Sequence, residues 1–250
     1  MTMESAIGRV AREQLEDGIV SLFVKQALAE AALTWRRRVR FRRQENAEAV
    51  RAYCAMTPAE FEGINARQRW ANWRTIPRSL HGRLPAAPCK AVDLCSGVGH
   101  SAQVLAYYLP RGSEILGLEY NPEFVRAAEA RSYEGAGGEG VKVRFRTQSV
   151  LETFRDAAGE PLADASVDLV NACGALGIHF VEADLERLLD EVARVLKPGG
   201  LAAVDSGSEG VDHARMIRMF EKRGFETMGR AKSCFLDRFT HLCFRKPPLK

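Results

Sequence analysis

The chain has 250 residues, 46% of them apolar and 27% charged, and a net charge of +4, which excludes a disordered or collagen-like class and suits one sizeable core with a modest appendage. Its apolar stretches, such as 18–24 and the acid-interrupted 163–180, fall short of the roughly 20 residues that span a bilayer. The opening Met-Thr-Met-Glu-Ser-Ala has no secretory pattern, so a cytoplasmic protein with no membrane contact is expected.

Residues 6–55 lack proline and repeat apolar side chains at three- and four-residue steps through Ile19, Leu22, Phe23, Ala27 and Leu33, which predicts helix with one break near Gly18. Within this stretch, Trp35 to Arg43 packs six arginines into nine residues. Cations interleaved with aromatic rings suit nucleic acid. The favoured alternative is a solvated helix face whose arginine stems cover apolar surface, because no RNA-binding module accompanies the cluster. Residues 1–90 carry 16 Lys+Arg against 9 Asp+Glu, or +7, and the rest 20 against 23, or −3, a modest asymmetry that would steer anionic partners.

Thr57-Pro58-Ala59-Glu60 has the form of a capping box with proline at the first helical position. It predicts a helix through Phe61, Ile64, Arg67, Gln68, Trp70 and Ala71 that ends before Pro77. Tyr53, Phe61, Trp70 and Trp73 are read singly as core and as a group as a partly apolar pocket wall. Leu84-Pro-Ala-Ala-Pro88 cannot continue a helix, and divides a helical appendage or lid, 1–83, from a main domain, 84–250.

From there β-prone runs alternate with helical ones: 91–94, 101–108, 114–119, 123–132, 141–146, 167–172, 185–196 and 201–205. Such alternation predicts a doubly wound, mostly parallel sheet with helices on both faces. Helix 212–223 is followed by two closely spaced strands, 225–228 and 237–244, able to pair as a hairpin. Cys54, Cys89, Cys95, Cys173, Cys234 and Cys243 form no Cys-x-x-Cys pair and no zinc-like spacing, so neither a metal site nor a disulfide framework is expected.

The strongest chemical signal is Ala91-Val-Asp-Leu-Cys-Ser-Gly-Val-Gly-His-Ser101, a strand entering a glycine turn that opens a helix. Gly97 and Gly99 remove Cβ atoms that would block a ligand, and the helix start offers free amides. Glu119 follows Gly97 by 22 residues at the end of the next strand, the spacing at which an acid receives ribose hydroxyls. Both a nicotinamide dinucleotide and S-adenosylmethionine are held in this way.

From about Lys90 to Phe244 the chain resembles the class I S-adenosylmethionine-dependent methyltransferases. Asp93, Gly97 and Gly99 match that family's acidic-x-Gly-x-Gly-x-Gly loop, with Cys95 at the first glycine, as in some quinone-ring methyltransferases. Val195-Leu-Lys-Pro-Gly-Gly200 matches the turn before its fifth strand. The resemblance implies a Rossmann-like methyltransferase fold of seven strands, with S-adenosyl-L-methionine as cofactor and S-adenosyl-L-homocysteine as product. It places cofactor contacts at Asp93, Ser96, Gly97, Gly99, Glu119, Tyr120, Gln148, Ser149, Val150 and Asn171. Gln148 or Ser149 stands where an Asp usually meets the adenine amino group.

Asn171-Ala-Cys-Gly-Ala-Leu-Gly-Ile-His179 resembles the small-residue loop that small-molecule members set beside the methyl group. This makes His179 a candidate base or orienting group. It lacks the Asn-Pro-Pro-Tyr form of many DNA and glutamine N-methyltransferases. The expected function is methyl transfer to O, N or C of a small organic molecule held between appendage and sheet. The alternatives are an RNA or protein methyltransferase using the basic region and a non-catalytic S-adenosylmethionine-binding protein.

Overall fold

A computed structural model of the chain describes residues 19–38, 47–133, 140–207, 211–234 and 239–248. The expected break near Gly18 and the second half of the Trp35–Arg43 cluster lie outside these residues.

Four helices precede the first strand among the described residues: α1 (Ile19–Arg37), α2 (Ala47–Cys54), α3 (Pro58–Ile64) and α4 (Ala66–Ser79). The capping box at α3 forms as its residues predict. Glu60 N donates to Thr57 Oγ1 at 3.2 Å and Thr57 N donates to Glu60 Oε2 at 2.9 Å, which satisfies two of the amides a helix start leaves unpaired.

The single helix expected after Thr57 is instead two. Asn65, at φ −114° and ψ 14°, leaves helical geometry and donates through Nδ2 to the Phe61 carbonyl at 3.0 Å. Pro77 also lies inside α4 rather than beyond it. Pro77 forgoes the hydrogen bond its nitrogen would otherwise make to the Trp73 carbonyl, a loss that the burial of Trp73, Ile76 and Leu80 against the sheet offsets.

The sheet follows in chain order as β1 (Lys90–Leu94), α5 (His100–Tyr108), β2 (Glu114–Glu119), α6 (Pro122–Glu129), β3 (Lys142–Thr147), β4 (Val167–Ala172), α7 (Leu176–His179), α8 (Glu182–Val195), β5 (Leu196–Gly207), α9 (His213–Glu221), β6 (Glu226–Ala231) and β7 (Phe239–Arg245). Spatial order is β3-β2-β1-β4-β5-β7-β6. The first five strands pair in parallel, and β7 inserts antiparallel between β5 and β6. The two late strands therefore pair as expected.

Alternation along the strands divides the core. Val92, Leu94 and Val170 face α8 and α9, whereas Ala91, Ile115 and Leu169 face α4, α5 and α6, so both faces are covered, as a parallel sheet requires. The α4 helix belongs to that second layer: Arg83 Nη2 just beyond it donates to the Met228 carbonyl at 2.7 Å, and Ser79 Oγ lies 2.7 Å from His241 Nδ1.

The Lys197–Gly200 turn falls inside β5 rather than before it. Val167 pairs with Leu196 and Leu169 with Leu201, so the turn is an excursion in the strand, held by Gly199 N donating to the Lys246 carbonyl at 2.8 Å. The short α7 has no counterpart among the elements expected from the sequence. Chain order reverses direction on either side of β1, between β2 and β4, and in such sheets the crevice at the strands' carboxyl ends is where ligands bind.

Candidate active site

At the carboxyl end of β1 the backbone turns through Cys95, Gly97 and Gly99, with φ of 52°, 54° and 86°. Gly97 and Gly99 are required there on two counts: the left-handed backbone favours glycine, and a Cβ at Gly97 would lie 2.8 Å from the Phe61 ring while one at Gly99 would lie 2.1 Å from Tyr133 Oη. Cys95 adopts the same conformation with a side chain, which costs about 1–2 kcal/mol. We expect Cys95→Gly to change stability by less than about 1 kcal/mol, strain relief offsetting lost packing, and Cys95→Val to cost about 2 kcal/mol or more. Urea midpoints of the three proteins check this ordering.

The turn is held to β2 by Ser96 N donating to the Leu118 carbonyl at 3.1 Å and Gly97 N donating to Glu119 Oε2 at 2.9 Å. Glu119 is buried, and its Oε1 receives Asn121 N at 2.8 Å and the Tyr53 hydroxyl at 3.1 Å. Burial pushes its carboxyl above the usual range, against the hydrogen bonds from Asn121, Gly97 and Tyr53.

Tyr53 comes from α2, so the helical segment closes on the glycine turn. Phe61 covers Gly97 and joins Tyr53 and Phe124 in one aromatic cluster. Beside it Glu62 pairs with Arg131, and His100 Nε2 lies 3.3 Å from Glu62 Oε1. The hydrogen bond from His100, aided by Arg131, holds the Glu62 carboxyl down at about 2.

Asp93 sits behind the turn. Its Oδ2 accepts from Ser101 Oγ at 2.6 Å and its Oδ1 from Asn171 Nδ2 at 2.7 Å, which joins β1, α5 and β4. Burial raises its pKa from 3.8 to about 6, against the bonds from Ser101 and Asn171. The folded state therefore holds this proton better than the unfolded chain does. The stability it contributes is complete below about 4 and is lost as pH rises through about 6.

A third buried carboxylate, Asp205 on β5, went unremarked in the sequence. It receives the amides of Ala175 and Leu176 on Oδ1 at 3.1 and 3.2 Å and that of Gly177 on Oδ2 at 3.0 Å, so it caps α7 from across the sheet. The Cys95 thiol is held well above its ordinary pKa, first by burial and then by Glu119, Asp205 and Asp93. Three acids at three strand ends thus act on one point.

These elements enclose a cleft of 1380 Å³ whose walls include Ser96, Gly97, Glu119, Tyr120, Ser149 and His179. Gln148 and Val150 also line it, but the Gln148 amide closes its own loop: Nε2 donates to the Thr153 carbonyl at 2.6 Å and Oε1 accepts from Arg155 N at 3.1 Å. Asp93, Gly99 and Asn171 stand behind the wall. His179 ends α7 with its Nδ1 unpartnered among the described residues, and burial lowers its pKa, so the ring is uncharged at neutral pH. Among the described residues no three His, Cys, Asp or Glu side chains gather into a metal-holding group.

The donor set suits a nucleoside bearing a positive charge. Ser96 Oγ is buried with no partner among the described residues, a hydroxyl able both to give and to accept. Glu119 offers an acidic edge beside the glycine turn, and the three carboxylates favour a cation.

Residues 91–200 match the family model described as a methyltransferase domain. Over 132 residues, 53% of the chain, the sequence is 34% identical to demethylmenaquinone methyltransferase of Thermus thermophilus, covering 52% of that protein. Over 149 residues, 60% of the chain, it is 30% identical to malonyl-(acyl-carrier protein) O-methyltransferase of Methylococcus capsulatus, covering 48% of it. The chain thus spans about half the length of the curated relatives it matches. An S-adenosylmethionine dependent methyltransferase from Mesorhizobium loti has the same fold, with a TM-score of 0.52 at 17% identity over 73% of this chain and 100% of that one.

Proposed function

From the match of residues 91–200 to the methyltransferase domain model and the likeness to demethylmenaquinone methyltransferase, we propose that this chain is a class I S-adenosylmethionine-dependent methyltransferase and transfers the methyl group of S-adenosylmethionine to a small organic acceptor held between its N-terminal helices and the sheet. The observation that carries the reading is the buried Glu119 carboxylate facing the Gly97 turn beside the unpartnered Ser96 hydroxyl. When bound, the cofactor supplies an electrophilic methyl group on a sulfonium.

Glu119 would receive the ribose hydroxyls, with Tyr53 yielding or sharing Oε1. Tyr120 would flank the adenine, and Ser149 with the backbone at Val150 would meet its edge, since both ends of the Gln148 amide are engaged. Asp93 and Asn171 would act from behind, keeping the turn in shape.

On the acceptor side the chain's work is alignment and water exclusion, which can supply much of the catalysis for an in-line transfer. The neutral His179 imidazole would take a proton from an acceptor hydroxyl or amine. Apolar wall from Phe23, Ile64, Trp70, Phe180 and Phe239 favours an acceptor with an apolar body. One relative's acceptor, demethylmenaquinone, points the same way.

The test is titration calorimetry in two buffers of different ionisation enthalpy. With Asp93 titrating near 6, uptake of the cationic cofactor near pH 6 should expel up to about half a proton. The uncharged sulfur of S-adenosylhomocysteine should expel less. Absence of binding by either ligand refutes the proposal.

A further inference from the structure

The outward face of α1 carries large apolar side chains that nothing covers among the described residues. Val20 is 73% exposed, Val24 53%, Leu28 66% and Trp35 84%. At 100° per residue these four fall within a sector of about 80°, so they form one stripe along the helix. The opposite face holds α1 to the protein: Leu33 is buried, Gln26 Oε1 accepts from Arg67 N at 2.9 Å, and Arg37 Nη2 donates to the Ala55 carbonyl at 2.8 Å. The stripe therefore lies on the side of the helix away from its contacts with the other described residues.

Two further features say what it meets. The stripe runs into the cleft, because Trp35 and Ala31 within it and Ala27 at its edge also line that cavity. The described segment is basic: Lys25, Arg36, Arg37 and Arg38 stand against Glu30 of the helix and Glu60 of α3, which pairs Arg36 and Arg37, four cations to two carboxylates. In sequence Arg40, Arg42 and Arg43 follow before the next acid, Glu45. A nucleic acid would engage Trp35 and the arginines but has no use for Val20, Val24 and Leu28 two and more turns away.

We propose that α1 docks this protein on an anionic lipid surface, with the stripe entering the acyl boundary, Trp35 at headgroup level and the basic end against the lipid phosphates. Docked so, the mouth of the cleft opens onto the bilayer, and an acceptor dissolved there enters without crossing water. No helix of the described residues is long and apolar enough to cross a membrane, and surface docking needs none. The docking itself rests on the stripe and basic end of α1, whereas the entry of an acceptor rests on the methyl transfer proposed above.

Flotation of the full-length chain with phosphatidylcholine vesicles, with and without phosphatidylglycerol, tests it. Binding is expected to the anionic vesicles, weaker at high salt. Tryptophan emission should shift to the blue on binding, because Trp70 and Trp73 are already buried. Leu28→Glu and, separately, Trp35→Ser should lower partition at least about tenfold while leaving the thermal midpoint within a few degrees. The idea is overturned by absence of flotation, by variants that bind like the parent, by a dimer in light scattering that Leu28→Glu dissolves, or by RNA that outcompetes the vesicles.

Discussion

Glu119→Ala should weaken binding of S-adenosylmethionine at least about 100-fold. Hydrogen bonds to a charged acceptor contribute about 1.5–3 kcal/mol each, so losing two ribose hydroxyl contacts removes about 3–6 kcal/mol. The substitution also frees Gly97 N and Asn121 N, which Glu119 holds at 2.9 and 2.8 Å, and the turn loses its tie to β2.

Two companion substitutions separate these effects. Glu119→Gln keeps one oxygen acceptor in place, and its loss should be about tenfold. Tyr53→Phe keeps the ring among Phe61 and Phe124 but removes the hydroxyl from Oε1, so affinity should stay within about threefold of the parent. Calorimetry with the cofactor and with S-adenosylhomocysteine reads all three. Unchanged affinity in Glu119→Ala would remove the basis for the ribose assignment.

Acid should act in the same direction. Burial raises the Glu119 carboxyl above its ordinary range, so it takes up a proton at higher pH than a surface glutamate and ceases to be a charged acceptor. Affinity should therefore fall on acidification before exposed carboxylates titrate.

How much of this was legible in the sequence depended on whether the signal was local. Gly97 and Gly99 stand in a strand-turn-helix a dozen residues long, and the conformation that demands glycine is written into that short stretch. Glu119 followed because strand and helix lengths fix its spacing. The capping box at Thr57 was equally local.

What escaped was non-local or hidden in polar side chains that satisfy themselves. Tyr53 meets Glu119 across 66 residues, and Phe61 covers Gly97 from a helix whose periodicity says only that one face is apolar. Pro77 read as a stop, but the packing of Trp73, Ile76 and Leu80 outweighed it. Gln148 looked free to meet a ligand, and its amide closes its own loop. Asp205 did leave a signal: like Asp93 and Glu119 it is an acid near the carboxyl end of an otherwise apolar strand, where a charge is costly to bury unless it is bonded.

Asp205→Ala is expected to cost about 3 kcal/mol or more. It would leave the Ala175, Leu176 and Gly177 amides without their acceptor, and each buried unpaired donor costs about 1–3 kcal/mol. Ala175, at the start of α7, makes no side-chain cap of its own, so no local group substitutes. The packing here leaves little room to adjust, since a Cβ at Gly177 would lie 2.4 Å from Gly207 N; Gly177→Ala should destabilise the same junction by a separate route. The consequence for function follows from chain order: α7 ends at His179, and loosening its first turn displaces that ring from the cleft wall. Urea midpoints read the stability loss, and the titration of His179 by NMR reads the displacement, its pKa rising toward about 6.5 as burial is relieved. Asp205→Asn keeps an oxygen for two of the amides and discards a buried charge, so its cost should be smaller. If Asp205→Ala left both stability and the His179 titration unchanged, the carboxylate would have no part in holding α7.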